Sequence, residues 1–78
     1  MIKPIIYSTK HCPWCVKLKD FFKKNNIEFE ERMADADPRY AMELEEKSGQ
    51  SGVPVTDVNG KIIIGYNEPA IKKALGLL

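Results

Sequence analysis

The chain has 78 residues, of which 44% are hydrophobic and 29% are charged, and its formal net charge is +1. This length suits a single domain over residues 1–78, near the lower limit at which a hydrophobic core suffices without several disulfides or a metal ion. No apolar run approaches the roughly 18 residues that a membrane span requires, and the apolar start is interrupted too soon for a signal peptide. We therefore expect a monomeric, cytoplasmic protein that binds neither membranes nor nucleic acid.

The first third of the chain predicts a buried strand followed by an amphipathic helix. Ile5–Ser8 forms the strand, and a helix runs from Pro13 to about Lys24 because its apolar residues fall on one side at 100° per residue. These apolar residues are Trp14, Cys15, Leu18, Phe21 and Phe22. Val16 interrupts the pattern. Pro13 suits the first helical turn, where the N–H that proline lacks would be unpaired anyway, and Asn25 with Asn26 ends the helix.

A second strand and a second helix follow. Residues 27–30 alternate between apolar and acidic side chains, which predicts a half-exposed strand. Asp37 then supplies an N-cap with Pro38 at the first helical position. The helix should extend to about Lys47, stop at Ser48-Gly49, and bury three apolar residues. These are Tyr40, Ala41 and Leu44.

The last part of the chain predicts a hairpin and a third helix. Residues 53–56 and 61–64 flank Asn59-Gly60, the favoured pair for a two-residue type I′ turn. Asn67 can cap a helix whose apolar face consists of Ala70, Ile71, Ala74, Leu75 and Leu78. The order β-α-β-α-β-β-α indicates an α/β fold with a four-stranded mixed sheet. A crossover makes the first two strands parallel, the hairpin extends the sheet antiparallel to them, and helices cover both faces.

The only two cysteines stand three residues apart, as Cys12-Pro13-Trp14-Cys15, at the start of the first predicted helix. Unpaired N–H groups and the helix dipole favour a thiolate at Cys12. Cys12 should therefore be exposed and attack a disulfide sulfur. Cys15, one turn inside on the apolar face, should stay a thiol until it resolves the mixed disulfide. Lys10 and His11 add positive charge nearby.

Other uses of the two cysteines fit less well. A structural disulfide across so short a ring contributes only about 2 kcal/mol, against about 4.7 kcal/mol for a 100-residue loop. A closed zinc site needs four ligands, and the only other soft candidate is His11, which is awkwardly adjacent to Cys12. Covalent haem attachment needs a histidine after the second cysteine, where this chain has Val16. Redox chemistry remains, with no metal and no tightly bound cofactor.

Charge is distributed unevenly along the chain. Six lysines and one acid lie between residues 1 and 24, whereas eight acids and three bases lie between residues 27 and 47. The part with the cysteines is therefore locally basic, which favours a thiolate and an anionic partner. A solvated helix face made of lysines explains the same pattern equally well.

Three further features are candidates for substrate binding. Trp14 either forms an apolar contact on the rim of the site or packs partly into the core, while Pro13 stiffens the dipeptide. A cis proline at Val53-Pro54 would expose the backbone of Val53 to an extended thiol peptide, although a proline that starts a strand also marks an edge. Residues 65–68 form a turn before the last helix, which either holds a carboxylate or simply connects strand to helix.

The order and spacing of these motifs resemble the glutaredoxin family over almost the whole chain. The motifs are Cys12-Pro13-Trp14-Cys15, Gly52-Val53-Pro54 and Ile64-Gly65-Tyr66-Asn67-Glu68. The resemblance implies a thioredoxin-like fold and a cis Val53-Pro54 bond. It also implies reduction of protein disulfides and glutathione mixed disulfides, with glutathione as the reducing cosubstrate, Cys12 as nucleophile and Cys15 as resolving thiol.

The resemblance also implies a set of glutathione contacts. Val53 would pair with the backbone of the glutathione cysteine. Lys10 and Gln50 would lie near the glycine carboxylate, and Asn67-Glu68 would lie near the γ-glutamyl end. The full set of implied binding residues is Lys10, Pro13, Trp14, Gln50, Val53, Pro54, Gly65, Tyr66, Asn67 and Glu68.

The chain departs from the family pattern at three positions, all in the implied glutathione groove. The lysine that dithiol glutaredoxins commonly place three residues before the first cysteine is Thr9 here, with Lys10 one position later. The family's Thr-Val-Pro becomes Gly52-Val53-Pro54, and Tyr66 stands where the second glycine of a Gly-Gly pair is expected.

Other hypotheses remain beside a glutathione-dependent enzyme. The short length and the Gly65-Tyr66 turn resemble glutaredoxin-like redoxins that are recharged by thioredoxin reductase and serve ribonucleotide reductase, whereas Pro13-Trp14 favours the glutaredoxins. A module that binds an iron-sulfur cluster between two chains is disfavoured because Pro13 stiffens the loop and Cys15 offers an internal partner. A non-catalytic domain that retains a dithiol is the last alternative.

Overall fold

The structure, a computed structural model, describes residues 3–76 and contains seven regular elements in the predicted order. They are β1 (Ile5–Ser8), α1 (Pro13–Lys24), β2 (Glu30–Met33), α2 (Pro38–Ser48), β3 (Val55–Val58), β4 (Lys61–Ile64) and α3 (Glu68–Leu75). Across residues 3–76, every helix is too short or too polar to cross a membrane.

The four strands form one mixed sheet in the order β2-β1-β3-β4. β1 is parallel to β2 and antiparallel to β3, and β3 pairs with β4 as an antiparallel hairpin. Tyr7 lies opposite Val55, so the end of β1 and the start of β3 meet at the same edge of the sheet. The loop that carries the cysteines is thereby brought next to Val53-Pro54.

Helices cover both faces of the sheet, as predicted. On one face, α1 and α3 pack against the strands through a buried cluster of Ile6, Leu18, Phe21, Phe22, Val58, Ile63 and Ile71. On the other face, α2 packs through a smaller cluster of Tyr7, Leu44 and Val55. Leu44 is the only buried residue of α2, and Tyr40 and Ala41, which we expected in the core, are half-buried. Alternate residues of β1 and β3 therefore serve two separate cores.

Local signals place the helix ends and the hairpin turn correctly. Asp37 accepts a hydrogen bond from the Arg39 N–H at 2.9 Å, as an N-cap should. Asn59 and Gly60 have φ angles of 52° and 89°, which suits the type I′ turn. Val16, which interrupts the apolar pattern of α1, has 53% of its surface exposed.

The predicted position of the second strand is wrong by three residues. We expected residues 27–30, whereas β2 spans Glu30–Met33. Ile27 and Phe29 pack against the α1/α3 core from the connection that precedes the strand. β2 itself is polar because it is an edge strand of the sheet, where side chains reach solvent. The alternation of apolar and acidic residues thus marked the half-buried connection instead of the strand.

Two other boundaries also differ from the prediction. β3 begins at Val55 rather than at residue 53, because the proline at 54 has no N–H to donate to a neighbouring strand. α3 ends at Leu75, and Gly76 terminates it in the left-handed conformation with φ of 77°. Leu78, which we assigned to the face of this helix, lies outside the described residues.

A polar network fastens α2 to the sheet. The Tyr7 hydroxyl donates to Glu43 Oε1 at 2.7 Å and accepts from Lys47 Nζ at 2.8 Å. Lys47 also forms an ion pair with Asp57 at 2.8 Å. The ring of Tyr7 is fully buried, and this burial raises the pKa of its phenol. The network therefore keeps a buried phenol neutral and hydrogen-bonded beneath α2.

A second network joins β1, β2 and α1. Ser8 Oγ, which is fully buried at the end of β1, donates to Glu31 Oε2 at 2.7 Å. Lys19 Nζ lies 2.7 Å from the same carboxylate oxygen. The hydrogen bonds from Lys19 and Ser8 lower the pKa of the Glu31 carboxyl. Glu31 thus links three elements near the edge where the cysteine loop begins.

Replacing Glu31 with glutamine should destabilise the fold in a pH-dependent way. The native carboxyl titrates below its ordinary value of 4.5, so its stabilisation is fully present above that pH and is lost as the pH falls through the native pKa. Because the pair is partly exposed, we expect Glu31→Gln to lower the free energy of unfolding by about 1 kcal/mol at neutral pH. The difference from the natural chain should vanish in strong acid.

Urea denaturation from neutral pH into strong acid measures this effect. Glu28→Gln, which removes an exposed carboxylate just before β2, is the matched control and should change stability little at any pH. If Glu31→Gln lowers the free energy of unfolding by the same amount at every pH, the charge of the carboxylate is not what stabilises the contact between β1, β2 and α1.

Candidate active site

The two cysteines lie where an exposed loop becomes α1. Cys12 is the N-cap residue, with extended backbone angles, and Pro13 opens the helix. The Cys15 N–H donates to Cys12 Sγ at 3.2 Å, and the two sulfurs form a disulfide. Cys15 is only 1% exposed, whereas Cys12 is half-buried. Cys15 is therefore the more buried of the two cysteines, as predicted, whereas Cys12, which we expected to be exposed, is half-buried.

This arrangement has a direct chemical consequence for Cys12. An N-cap side chain faces the unpaired N–H groups of the first helical turn, which carry partial positive charge. The first turn of α1 contains no acidic side chain that would oppose a negative sulfur. When the disulfide is reduced, the N–H of Cys15 is therefore positioned to stabilise a thiolate at Cys12.

A groove of about 280 Å³ lies beside the dithiol and is lined by Trp14, Val53, Pro54, Gly65 and Tyr66. We call it the aromatic groove. Three separate parts of the chain form it: the first turn of α1, the segment before β3 and the turn after β4. The Gly65 N–H donates to the Pro54 carbonyl at 2.8 Å and joins the last two parts, and the φ of 80° at Gly65 favours glycine.

The Val53-Pro54 peptide bond is cis, as the family resemblance implied. Pro54 is buried, and Val53 is half-buried against the Tyr7 and Val55 cluster. Val53 lies before the first residue of β3 and borders the aromatic groove. The backbone of Val53 therefore borders the groove just ahead of the sheet.

Trp14 lies on the rim of the site and not in the core. Its side chain is 55% exposed, which decides between the two interpretations of its position. The Lys17 ammonium lies 4.5 Å from the centre of the Trp14 ring. The Tyr66 ring centre is 6.0 Å away, with the two ring planes inclined at 36°. Trp14 and Tyr66 are thus neighbouring aromatic walls of the groove.

The side chains of the turn before α3 form hydrogen bonds within the turn and with the first residues of the helix. The Tyr66 hydroxyl donates to Glu68 Oε2 at 2.8 Å, and this contact raises the pKa of Tyr66 and lowers that of Glu68. Lys72 Nζ lies 3.4 Å from Glu68 Oε1. Asn67 Oδ1 accepts from the Ala70 N–H at 3.3 Å. Asn67 and Glu68 therefore stabilise the helix start and fix the tyrosine.

Gln50 is likewise engaged within the protein. Its amide nitrogen donates to the Gly52 carbonyl at 3.1 Å, and its amide oxygen accepts from the Gly52 N–H at 2.9 Å. A side chain at position 52 would disturb this ring, because a Cβ there would lie 2.6 Å from Gln50 Oε1. The glycine that replaces the family threonine thus makes room for the folded-back glutamine.

The structure brings together half of the predicted binding residues. Trp14, Val53, Pro54, Gly65 and Tyr66 line one groove, whereas the other predicted residues lie outside its walls. Those outside are Lys10, Pro13, Gln50, Asn67 and Glu68. Lys10 and Pro13 are exposed beside Cys12, and the remaining three are occupied as described above.

Asp35 is a residue of the site that sequence reasoning missed. Its Oδ2 accepts a hydrogen bond from the Lys10 N–H at 2.9 Å, which ties the loop before Cys12 to the segment after β2. The Ala34 N–H donates to the Ser8 carbonyl at 2.8 Å and brings the two segments together. The predicted parallel pairing of β1 and β2 could have indicated this contact, because the residues that follow two parallel strands lie side by side. We predicted that β2 ends at residue 30, which placed Asp35 too far beyond the strand to be recognised.

Removing the Asp35 carboxylate should loosen the loop before the dithiol. We expect Asp35→Ala to speed hydrogen exchange of the Lys10 amide roughly fivefold, because one hydrogen bond of about 1 kcal/mol is lost. Asp35→Asn, which keeps an acceptor oxygen, should have a smaller effect. Asp20→Ala removes an exposed carboxylate from α1 and serves as the control. Unchanged exchange at Lys10 in Asp35→Ala would contradict the proposed tie.

The fold and the site together define a class of protein. A disulfide-bonded pair at a helix N-cap, beside a cis proline on a four-stranded mixed sheet, is the arrangement of thioredoxin-like dithiol proteins. The family model described as Glutaredoxin matches residues 5–63. The chain belongs to the glutaredoxin family, and Cys12 and Cys15 are its redox-active pair.

Comparison with individual proteins agrees with this assignment. The chain is 44% identical over 75 residues to the glutaredoxin-like 8.6 kDa protein of the rubredoxin operon of Clostridium pasteurianum, and the match covers 96% of this chain and 97% of that protein.

Two solved structures share the fold at lower identity. Glutaredoxin from Archaeoglobus fulgidus has a TM-score of 0.86 at 26% identity, covering 96% of this chain and 87% of that one. Methanoredoxin from Methanosarcina acetivorans has the same TM-score and identity, covering 95% of this chain and 84% of that one.

Proposed function

We propose that the protein uses this dithiol to reduce protein disulfides and glutathione mixed disulfides, with glutathione as its electron donor. The observation that carries the proposal is the disulfide between Cys12, a half-buried N-cap residue, and Cys15, which is 1% exposed, in a chain whose Val53-Pro54 bond is cis. The less buried cysteine can attack a substrate, and the buried one is kept for the second step.

The reaction balances as two successive exchanges. The Cys12 thiolate attacks one sulfur of the substrate disulfide, a mixed disulfide forms, and the other substrate sulfur leaves as a thiolate that takes up a proton. Cys15 then loses its proton and attacks Cys12 Sγ, which closes the Cys12–Cys15 disulfide and releases the second substrate thiol. Two electrons pass from the protein to the substrate. Two glutathione molecules return them and become glutathione disulfide.

The two cysteines should respond differently to replacement by serine. Cys15→Ser should still reduce a glutathionylated substrate, because glutathione itself can release the mixed disulfide at Cys12. Cys12→Ser should lose this activity entirely. The release of glutathione from a small glutathionylated thiol, coupled to glutathione reductase, measures both variants. They are matched to each other, since neither can form the internal disulfide. Activity in Cys12→Ser would overturn the assignment of the nucleophile.

A second candidate electron donor is favoured because two polar side chains of the site are already hydrogen-bonded within the protein. Gln50 is folded back onto Gly52, and Glu68 is bonded to Tyr66 and Lys72. These are positions where the family resemblance places contacts to the two ends of glutathione. A protein donor such as thioredoxin reductase, which needs no carboxylate pocket, is therefore the alternative.

A redox titration with Trp14 as the probe measures the reduction potential of the Cys12–Cys15 pair against glutathione. Trp14 is the only tryptophan and lies inside the dithiol motif, so its emission should differ between the oxidised and reduced protein. Titrated against glutathione and its disulfide, the protein should become reduced with a midpoint near −200 to −230 mV, the range of glutaredoxins.

A coupled assay with NADPH and thioredoxin reductase, without glutathione, completes the experiment. The proposal requires turnover with glutathione and little with the reductase. Turnover with the reductase alone would replace glutathione by the protein donor, whereas turnover with neither would make the chain a non-catalytic domain.

A further inference from the structure

We propose that the aromatic groove selects protein substrates with an apolar side chain next to the reacting cysteine and an acidic residue close by. This inference rests on the proposed function, because it names the class of protein disulfide that the dithiol reduces. The occupant is an extended segment of a partner protein whose cysteine reaches Cys12 while its apolar neighbour lies between the Trp14 and Tyr66 rings.

Trp14 gives the groove an exposed apolar wall. Its side chain is 55% exposed, and Tyr66 lines the groove beside it. The other large apolar side chains that are exposed in the described residues, Val16, Met42 and Ile64, do not line the groove. An exposed aromatic ring on the wall of a groove favours contact with another apolar surface.

The Tyr66 wall is held in place before a substrate arrives. The Tyr66 ring packs against the α1/α3 core, and its hydroxyl is bonded to Glu68 at 2.8 Å. The Trp14 ring is more exposed and lies beside Tyr66 and below the Lys17 ammonium. An aromatic ring that is already fixed binds with little loss of conformational freedom. The groove can therefore discriminate between side chains and not merely tolerate them.

The polar groups around the groove add little to recognition of a small charged ligand. The Gln50 amide is used by Gly52, and the Glu68 carboxylate by Tyr66 and Lys72. The accessible contacts that remain are the two rings and the backbone of Val53. Backbone pairing at Val53 does not depend on the substrate's side chains, so the rings carry the selectivity.

Charge near Cys12 favours an acidic segment. Lys10 and Lys17 are both exposed within five residues of Cys12. The Asp35 carboxylate, which accepts the Lys10 N–H, opposes them with one negative charge, whereas Glu68 is paired with Lys72, so positive charge is in excess near Cys12. A segment with acidic residues would be attracted to this face, and one with basic residues would be repelled.

Single-turnover reduction of three peptides tests the inference. Each peptide has the same length and one cysteine linked by a disulfide to mercaptoethanol. The first has leucine beside the cysteine and a nearby glutamate, the second replaces leucine by serine, and the third replaces glutamate by lysine. The full chain is reduced with dithiothreitol, freed of reductant and mixed with each peptide, and acid-quenched samples are separated by chromatography.

We expect the leucine–glutamate peptide to react about tenfold faster than the serine–glutamate peptide. It should also react faster than the leucine–lysine peptide at low salt, and this second ratio should shrink as salt is added. Trp14→Ala should bring the leucine-to-serine ratio close to one, whereas Tyr66→Phe, which keeps the ring, should preserve it. Met42→Ala removes the exposed apolar side chain on α2 and should leave all three rates unchanged.

The failures of the two proposals look different in this experiment. If no peptide is reduced, the proposed oxidoreductase function is wrong. If all three peptides are reduced at one rate, the function stands and the selective groove is wrong. A leucine preference that persists in Trp14→Ala would also overturn the inference, since the ring would not be its source. Equal rates for the glutamate and lysine peptides at low salt would overturn the acidic preference.

Discussion

The position of β1 between β2 and β3 is the constraint on which the rest of the structure depends. Its parallel pairing with β2 brings the Asp35 carboxylate to the loop before Cys12, and its antiparallel pairing with β3 brings Val53-Pro54 to the same edge. The side chains of β1 alternate between the two cores, so both helical layers are anchored to this one strand. A shift of its register by one residue would exchange the two faces and separate the dithiol from its groove.

Within that frame, the chemistry of the dithiol is mostly local. Cys12 is the N-cap of α1 and Cys15 lies one turn further on its buried side, so the two sulfurs have different electrostatic surroundings and their residues different burial. The cis proline and the Tyr66 wall are contributed from elsewhere in the chain, whereas the other aromatic wall, Trp14, lies within the dithiol motif itself. Reactivity and the proposed selectivity therefore share Trp14 and otherwise depend on different parts of the chain.

The internal hydrogen bonds of Gln50 and Glu68 distinguish this site from one whose polar side chains are free to bind glutathione. Each side chain satisfies a neighbour in its own chain, Gln50 the backbone of Gly52 and Glu68 the Tyr66 hydroxyl. Polar groups used in this way stabilise the loops that carry the site but offer less to a ligand. The apolar walls then become the more distinctive part of the surface, which is why we assign them the choice of protein substrate.

The sequence by itself determined the dithiol, the order of the elements, the caps at Asp37 and Asn67 and the turn at Asn59-Gly60. Each of these depends on residues close together in the chain, where backbone geometry and periodicity decide the outcome. Only the tertiary structure decided where the polar strand β2 begins, that Trp14 faces solvent, that Gln50 folds back, and that Asp35 joins the site. Those features depend on which distant segments come to lie side by side, and no local pattern encodes that pairing.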